Sequence, residues 1–252
     1  MVDVKKVTKR YGTKTVVDGV TVQIEKGKIT SFIGPNGAGK STLLSMISRL
    51  IMKDEGEIII DGKDITKRKS RELAQKISIL RQTNFVNLKL TVRELVSFGR
   101  FPYSQGRLTG EDRKFVDEAL DYMNLRDIEN EYLDELSGGQ RQRAFIAMVI
   151  AQDTDYILLD EPLNNLDMKH SVQIMKTLRR LVDEMGKTVV LVLHDINFAS
   201  VYSDYIVALK NGKIVKMGTT EEMIRREVLQ EIYDMDMTIQ NVRNCRICVY
   251  FS

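Results

Sequence analysis

Eight consecutive residues have the types and spacing of a phosphate-binding loop. They follow the apolar run Ile29 to Ile33 and read Gly34-Pro35-Asn36-Gly37-Ala38-Gly39-Lys40-Ser41. Glycines let backbone N–H groups approach a phosphate chain, and a helix that begins behind the loop adds its positive N-terminus. Lys40 would reach the β- and γ-phosphates, Ser41 would bind Mg²⁺, and Thr42 is a further candidate nucleotide ligand. The loop alone leaves kinases, GTPases and ATPases open.

A second apolar run ends in two adjacent acids. The run Tyr156 to Asp160 is followed directly by Glu161. Because successive strand side chains point to opposite faces, the two carboxylates can take different tasks. Asp160 would hold the Mg²⁺ sphere, and Glu161 would act as general base on the attacking water. Without the phosphate loop, an ordinary buried strand that exits into an acidic turn would be the better interpretation.

A second candidate phosphate cradle precedes a helical pattern in the middle of the chain. Its residues are Leu136-Ser137-Gly138-Gly139-Gln140. A serine hydroxyl and open backbone N–H groups at a helix N-terminus suit an anion. This stretch resembles the signature of ABC ATPases letter for letter, and the resemblance extends from about residue 2 to residue 220 in the expected motif order.

The resemblance implies a head-to-tail homodimer in the ATP-bound state. In that family the signature binds the γ-phosphate held by the opposite subunit, so two ATP molecules lie between the two copies. Asp167 matches the loop that crosses the dimer interface. The family more often has small residues where Asn164 and Asn165 stand, which affects how the two sites would be coupled.

Single residues match three further positions of the family. Tyr11 matches the aromatic residue that stacks on adenine. Gln82 matches the glutamine that contacts Mg²⁺ and water and senses the helical lobe. His194 matches the switch histidine near the γ-phosphate, where it would position water and Glu161, since phosphoryl transfer depends on orientation and charge stabilisation.

Strand and helix patterns alternate outside the middle of the chain, which predicts an α/β fold with a mainly parallel sheet. The predicted strands are Ile29 to Ile33, Glu57 to Ile60, Ile77 to Leu80, Tyr156 to Asp160, Thr188 to Leu193 and Tyr205 to Leu209. A helix is predicted over Ser41 to Ile51, with Leu43, Leu44, Met46, Ile47, Leu50 and Ile51 on one face. The resemblance makes this fold a P-loop NTPase of ABC type with a RecA-like core.

The expected organisation is one ABC ATPase domain over residues 1–252. Residues 1–87 and 152–220 would form the nucleotide-binding core, which includes an N-terminal antiparallel β subdomain from Val2 to Val7 and Thr15 to Ile24. Residues 88–151 contain no convincing strand and would form the inserted helical signature subdomain. Within it, Thr109 and Asp112 resemble a capping box before the apolar stripe Phe115, Val116, Ala119, Leu120 and Met123.

Residues 221–252 would form a C-terminal segment that the motifs do not explain. A helix that carries Glu221, Glu222, Arg225 and Arg226 is expected there, and Asn244 to Phe251 is expected to be a final strand. That strand holds the only two cysteines, Cys245 and Cys248. A structural zinc site would normally need two more ligands, so we expect neither metal nor redox work from this pair.

Bulk composition disfavours a charge-led function. The chain of 252 residues has a net charge of +3 and no run of roughly 20 apolar residues. The basic cluster Lys63, Lys67, Arg68, Lys69 and Arg71 lacks interleaved aromatic residues and contains acids, so we expect a solvated face and no nucleic acid.

Transport is the expected task, because the chain has room neither for a long coiled-coil insertion, as in repair ATPases, nor for a second cassette, as in translation factors. Four stretches resemble the importer branch for iron-siderophores, haem and cobalamin: Phe98 to Tyr103, Gly106 to Asp112, Leu163 to Met168, and His194 to Ala199. The resemblance implies ferric siderophore as first choice, with haem or cobalamin as alternatives. It also implies an integral membrane permease, an indirect substrate-binding protein and a peripheral position on the cytoplasmic face of the membrane.

Overall fold

The computed structural model describes residues 1–82, 88–164 and 166–250. The strands are β1 (Val2–Tyr11), β2 (Lys14–Ile24), β3 (Ile29–Ile33), β4 (Glu55–Ile60), β5 (Lys63–Asp64), β6 (Ile77–Leu80), β7 (Tyr156–Asp160), β8 (Thr188–Val192), β9 (Tyr205–Lys210), β10 (Lys213–Thr219), β11 (Thr238–Val242) and β12 (Cys245–Val249). The helices are α1 (Lys40–Ile47), α2 (Ser70–Ala74), α3 (Val92–Ser97), α4 (Phe101–Ser104), α5 (Gly110–Tyr122), α6 (Gly138–Ala151), α7 (Met168–Met185), α8 (Ile196–Tyr202), α9 (Thr220–Met223) and α10 (Arg226–Tyr233).

These elements form two compact units. Unit 1 joins Met1–Arg68 to the described residues from Thr188 onward, and unit 2 is the continuous stretch Lys69–Lys187. The expected α/β architecture is present: each unit has parallel strand pairing together with helices, and unit 1 also has antiparallel strands.

Unit 1 contains an antiparallel sheet and a mainly parallel group of strands. The antiparallel sheet has the order β2-β1-β4-β5 and includes the predicted N-terminal pair. In the second group β3 pairs in parallel with both β8 and β9, and β10 pairs antiparallel with β9. All five residues of β3 and all five of β8 are buried, which is why both appear in the sequence as short apolar runs.

The helix after the phosphate loop ends earlier than predicted. Leu43, Leu44, Met46 and Ile47 are buried as expected, but α1 stops at Ile47 and Leu50 is 52% exposed. The chain turns at Arg49, whose φ of 59° lies in the left-handed region. The Arg49 guanidinium donates to the carbonyls of Ile65 and Arg68 at 2.7 and 2.6 Å, and this contact with a distant segment fixes the turn.

The single helix expected after residue 220 is wrong, because two short helices occupy this region. Arg225 has an extended backbone with φ −135° and ψ 145°, which separates α9 from α10. The C-terminal hairpin pairs β11 with β12 antiparallel. The expected final strand is thus present as Cys245–Val249, while Phe251 lies outside the described residues.

Unit 2 combines the parallel pair β6 and β7 with helices α2 to α7. No strand is assigned among the described residues from 88 to 151, as predicted; an isolated bridge joins Thr91 to Tyr132. The predicted capping box is confirmed, since Thr109 accepts from the Asp112 N–H while the Asp112 carboxylate accepts from the Thr109 N–H. The stripe behind it packs inward through Val116, Ala119 and Leu120.

Across the three described ranges, no helix combines the length and the apolar character that crossing a bilayer requires. The longest helix, α7, is amphipathic. Its buried residues Ile174, Met175, Leu178, Leu181 and Val182 recur at helical spacing along one side.

Candidate functional site

The phosphate-binding loop of unit 1 has a backbone that only glycine allows at two positions. Gly34 follows β3 with φ 131°, and a Cβ there would collide with the Leu209 carbonyl oxygen. Gly39 has φ 96°, and its Cβ would lie 2.6 Å from the Val16 carbonyl oxygen. Asn36 and Gly37 are exposed at the tip of the loop, while Pro35 is half-buried and Ala38 is buried.

The Lys40 side chain folds back over this loop. Its ammonium donates to the carbonyls of Gly34 and Pro35 at 2.8 and 3.0 Å, and the residue is only 5% exposed. The positive charge therefore lies against the loop whose N–H groups would receive phosphate. Ser41 and Thr42 follow in the first turn of α1 and are half-buried.

The N-terminus of α1 lacks the side-chain acceptor that α8 and α9 of unit 1 possess. Asp195 caps α8 and Thr219 caps α9, each accepting from a backbone N–H. The cap position of α1 is Gly39, which supplies no side chain, and the first turn of α1 contains no acid. A helix start without a built-in anionic or hydroxyl acceptor suits an external phosphate.

His194 is exposed just beyond the end of β8. The turn behind it is held by the C-terminal hairpin. The Asn197 side chain accepts from the Cys248 N–H at 2.8 Å and donates to the Cys248 carbonyl at 3.2 Å. Asp195, between His194 and this anchor, accepts from the Asn197 N–H at 2.8 Å.

Two tyrosines of unit 1 differ in exposure. Tyr11, at the end of β1, is 50% exposed, and the Lys9 ammonium lies 5.4 Å from its ring centre. Tyr233, at the end of α10, has a buried hydroxyl near the Gly34 backbone amide. Among the described residues, no group forms a hydrogen bond of good geometry with this hydroxyl. Burial raises the pKa of Tyr233 to about 12, so it stays protonated at neutral pH.

The two acids of unit 2 lie at the end of β7. Asp160 is 7% exposed and Glu161 is 8% exposed. Glu161 has φ 51°, so the chain leaves the strand direction at that residue. The Gln82 amide donates to Glu161 Oε2 at 2.6 Å, which brings two of the predicted site residues into contact across 79 positions of sequence.

Asn164 is a second amide donor to the same oxygen. Its Nδ2 lies 2.5 Å from Glu161 Oε2. The sequence indicated that Asn164 departs from the pattern of the family it resembles, but not that it contacts Glu161. The available signal was its position three residues after Glu161, which is the spacing of a tight turn. Asn165 lies outside the described residues.

The signature residues form the start of α6. Ser137 is the N-cap, its hydroxyl accepts from the Gln140 N–H at 3.3 Å, and the Gln140 side chain accepts from the Ser137 N–H at 2.9 Å. Ser137 and Gly138 are exposed, whereas the helix behind them buries Ala144, Ile146 and Ala147. The core of unit 2 thus fixes a helix whose N-terminus is open to a ligand or a second molecule.

Asp167 caps α7. Its carboxylate accepts from the His170 N–H at 2.8 Å and lies 2.8 Å from His170 Nδ1. The backbone and ring hydrogen bonds from His170 lower the pKa of Asp167. The carboxylate is therefore ionised at neutral pH and sits on a helix start, next to the exposed side chain of Met168.

Comparison with known proteins identifies the family that the motifs resemble. Residues 17–164 match the family model described as ABC transporter. The chain is 69% identical over 252 residues to the petrobactin import ATP-binding protein YclP of Bacillus subtilis (strain 168), covering 100% of both chains. It is 51% identical over 239 residues to the petrobactin import ATP-binding protein FatE of Bacillus anthracis, covering 95% of this chain and 96% of that protein.

A solved structure extends the comparison to three dimensions. The dimeric post-hydrolysis state of the ATP-binding cassette MJ0796, bound to ADP and Pi, superimposes with a TM-score of 0.79 at 37% sequence identity. The match covers 87% of this chain and 99% of that chain. The fold is therefore shared with a cassette whose structure contains ADP and Pi.

Proposed function

The chain belongs to the ABC transporter family, and on that premise we propose that it is the ATP-hydrolysing subunit of an importer for ferric siderophores. The observation that carries the proposal is the 69% identity, over the whole of both chains, to a protein named for petrobactin import. ABC ATP-binding proteins hydrolyse ATP, and the chain is an ATP hydrolase. We propose the domain division given above: a nucleotide-binding core of 1–87 and 152–220, a helical signature subdomain of 88–151 and a C-terminal segment.

The candidate site residues of unit 1 have distinct roles in this proposal. The N–H groups from Gly34 to Thr42 receive the phosphate chain, and Lys40 exchanges its two loop carbonyls for β- and γ-phosphate oxygens. Tyr11 stacks on adenine, which its exposed ring permits. His194 orients the attacking water at the γ-phosphate.

In unit 2, Glu161 takes the proton from that water. The two amide donors on Glu161 Oε2 hold the carboxylate in one direction, as a group that takes a proton from a bound water requires. Ser41, Asp160 and Gln82 offer hard oxygen donors, the donor type that Mg²⁺ prefers, so they fit the role of magnesium ligands. When bound there, Mg²⁺ would supply positive charge against the β- and γ-phosphates.

The active form in this proposal is a homodimer. Ser137, Gly138, Gly139 and Gln140 of one copy complete the γ-phosphate site on the loop of the other, and Asp167 lies at the interface between copies. Support comes from the open start of α6 and from a related cassette that is dimeric with its hydrolysis products. ATP binding closes the pair, and hydrolysis opens it.

The proposed partner is an integral membrane permease, which holds the ATPase pair at the cytoplasmic face of the membrane, with a substrate-binding protein acting on the opposite side. Ferric petrobactin is the proposed cargo, because two relatives over most of this chain are named for its import. The cargo itself does not contact this subunit.

The test is uptake of radiolabelled ferric petrobactin in the parent strain and in a strain from which the gene is deleted. Uptake should be lost on deletion, return with the wild-type gene and stay absent with Glu161→Gln. Uptake of an unrelated ferric siderophore is measured in parallel. Normal petrobactin uptake after deletion would refute petrobactin as the cargo. If only uptake of the other siderophore were lost, that siderophore would be the cargo instead.

A further inference from the structure

The carboxylate of Glu161 is held through one oxygen by two amides from different parts of unit 2. Gln82 reaches it from beyond the end of β6, and Asn164 reaches it from the turn that follows β7. Both contacts are short, with N···O distances of 2.6 and 2.5 Å. Both amides therefore contribute to the direction of the carboxylate.

The turn brings Asn164 back over Glu161. Its own N–H donates to the Glu161 carbonyl at 3.3 Å, and the left-handed backbone of Glu161 starts the reversal. The signature helix holds the same turn from another side, since Gln142 on α6 donates to the Pro162 carbonyl at 3.0 Å. Asn164 is thus kept within reach of the base by local geometry.

We propose that Asn164 is a positioning residue for ATP hydrolysis, which orients the Glu161 carboxylate together with Gln82. This inference rests on the proposed function, in which Glu161 is the general base. Asn164 is joined to Glu161 by a four-residue turn, whereas Gln82 is an exposed residue beyond the end of another strand. The short tether makes Asn164 the steadier of the two donors.

An Asn164→Leu variant tests the role, because leucine has a similar size and no donor. We expect kcat to fall about 10- to 100-fold, as for a misoriented reacting group, with the KM for Mg-ATP changed less than twofold. The ATP-bound dimer should persist longer in size-exclusion chromatography, since nucleotide still binds and turns over slowly. Asn164→Asp, which keeps the shape but places an acceptor against the carboxylate, should lose at least as much activity.

Gln142→Leu is the matched structural control, because it removes a hydrogen bond from the same turn without touching the carboxylate. If Asn164 only stabilised the turn, both variants would lower the melting temperature and alter kcat alike. A kcat loss in Asn164→Leu at an unchanged melting temperature, larger than in Gln142→Leu, supports positioning. If Asn164→Leu does not fold, Asn164→Asp and Asn164→Ser decide the question by the same measurements.

A double-mutant cycle with Gln82→Ala adds a second criterion. Two donors that orient one carboxylate oxygen should give non-additive effects on kcat, whereas independent roles would give losses that multiply. If the wild-type protein hydrolyses ATP and Asn164→Leu has the same kcat, this inference is overturned and the proposed function stands. An inactive wild-type protein would instead count against the proposed function.

Discussion

Arg100 and Asp112 form an ion pair of 2.9 Å in the helical part of unit 2, where their side chains are only 5% and 6% exposed. The guanidinium lies between the rings of Tyr103 and Phe115, at 4.0 and 4.1 Å from their centres. It also donates to the Ala151 carbonyl at the end of the signature helix. One buried cation thus connects the helices that carry the capping box and the signature.

Replacing Asp112 with asparagine should destabilise the protein by about 3–5 kcal/mol, because it leaves the Arg100 charge buried without its anionic partner. Urea unfolding followed by circular dichroism measures the change. Asp121→Asn is the matched control, since Asp121 pairs with Arg126 at 59% exposure, where solvent screens the pair, and its replacement should cost far less stability. Equal losses in the two variants would contradict the special role of the buried pair.

The same pair predicts a pH dependence. Burial alone would raise the pKa of Asp112, but hydrogen bonds from Thr109 and Arg100 outweigh it and lower the pKa. The native state therefore favours the ionised form, and its stabilisation is present above the ordinary aspartate pKa of about 3.9 and is lost as the pH falls through the lowered value. The stability gap between wild type and Asp112→Asn should narrow between pH 6 and pH 3. If the difference in stability grew as the pH fell, the pKa of Asp112 would have to be raised in the folded protein and not lowered.

Lys40→Ala should weaken ATP binding by about 10- to 100-fold, since a charge-assisted contact to phosphate is lost. Fluorescence titration with a labelled ATP analogue measures the affinity. Lys213→Ala removes an exposed lysine of the same unit, which pairs with Asp18 at 3.1 Å, and should bind nucleotide as the wild type does. Unchanged affinity in Lys40→Ala would remove Lys40 from the phosphate site.

Glu161→Gln should cut hydrolysis by about 10²- to 10⁴-fold while nucleotide binding remains, because the amide keeps the shape of the side chain but takes no proton from water. Phosphate release and analogue binding are measured on the same preparation. Near-normal turnover would assign the base elsewhere.

Head-to-tail pairing can be tested by complementation. Lys40→Ala impairs the phosphate loop and Ser137→Arg blocks the signature, so each variant alone should be inactive. In a mixed dimer, one site combines the intact loop of the second variant with the intact signature of the first. Mixing should therefore restore ATPase activity, and a mixture as inactive as its components would argue against shared sites.

Three strands have the bounds predicted from the sequence: Ile29–Ile33, Ile77–Leu80 and Tyr156–Asp160. Their residues are buried or nearly so, and a short run of apolar residues identifies such a strand. The prediction for β8 is one residue too long, because the strand ends at Val192 and not at Leu193. The end of α1 could not be predicted in this way. It depends on the Arg49 guanidinium meeting carbonyls near residue 65, and no local periodicity encodes that contact.

The candidate site divides along the same line. The loop from Gly34 to Ser41, the signature residues and the acids after β7 are contiguous motifs, so the sequence displays them directly. The Asn164 contact with Glu161 needs a particular turn, and the contact of Asn197 with Cys248 joins residues 51 positions apart. These two contacts depend on tertiary structure and could not be predicted from the sequence. The residue types alone indicate nothing about a role in catalysis.

The discontinuity of unit 1 has a consequence for how the protein is made. Strand β3, which carries the phosphate loop, has both of its parallel partners after residue 187, and the Gly27 N–H donates to the Thr188 hydroxyl 161 positions away. On a translating ribosome β3 therefore emerges well before β8 and β9, whereas the residues of unit 2 emerge consecutively and can fold together first. The partner strands of β3 are therefore synthesised only after all of unit 2, which contains the signature residues. We expect the phosphate loop to reach its folded conformation, and nucleotide to bind, late in the folding of this chain.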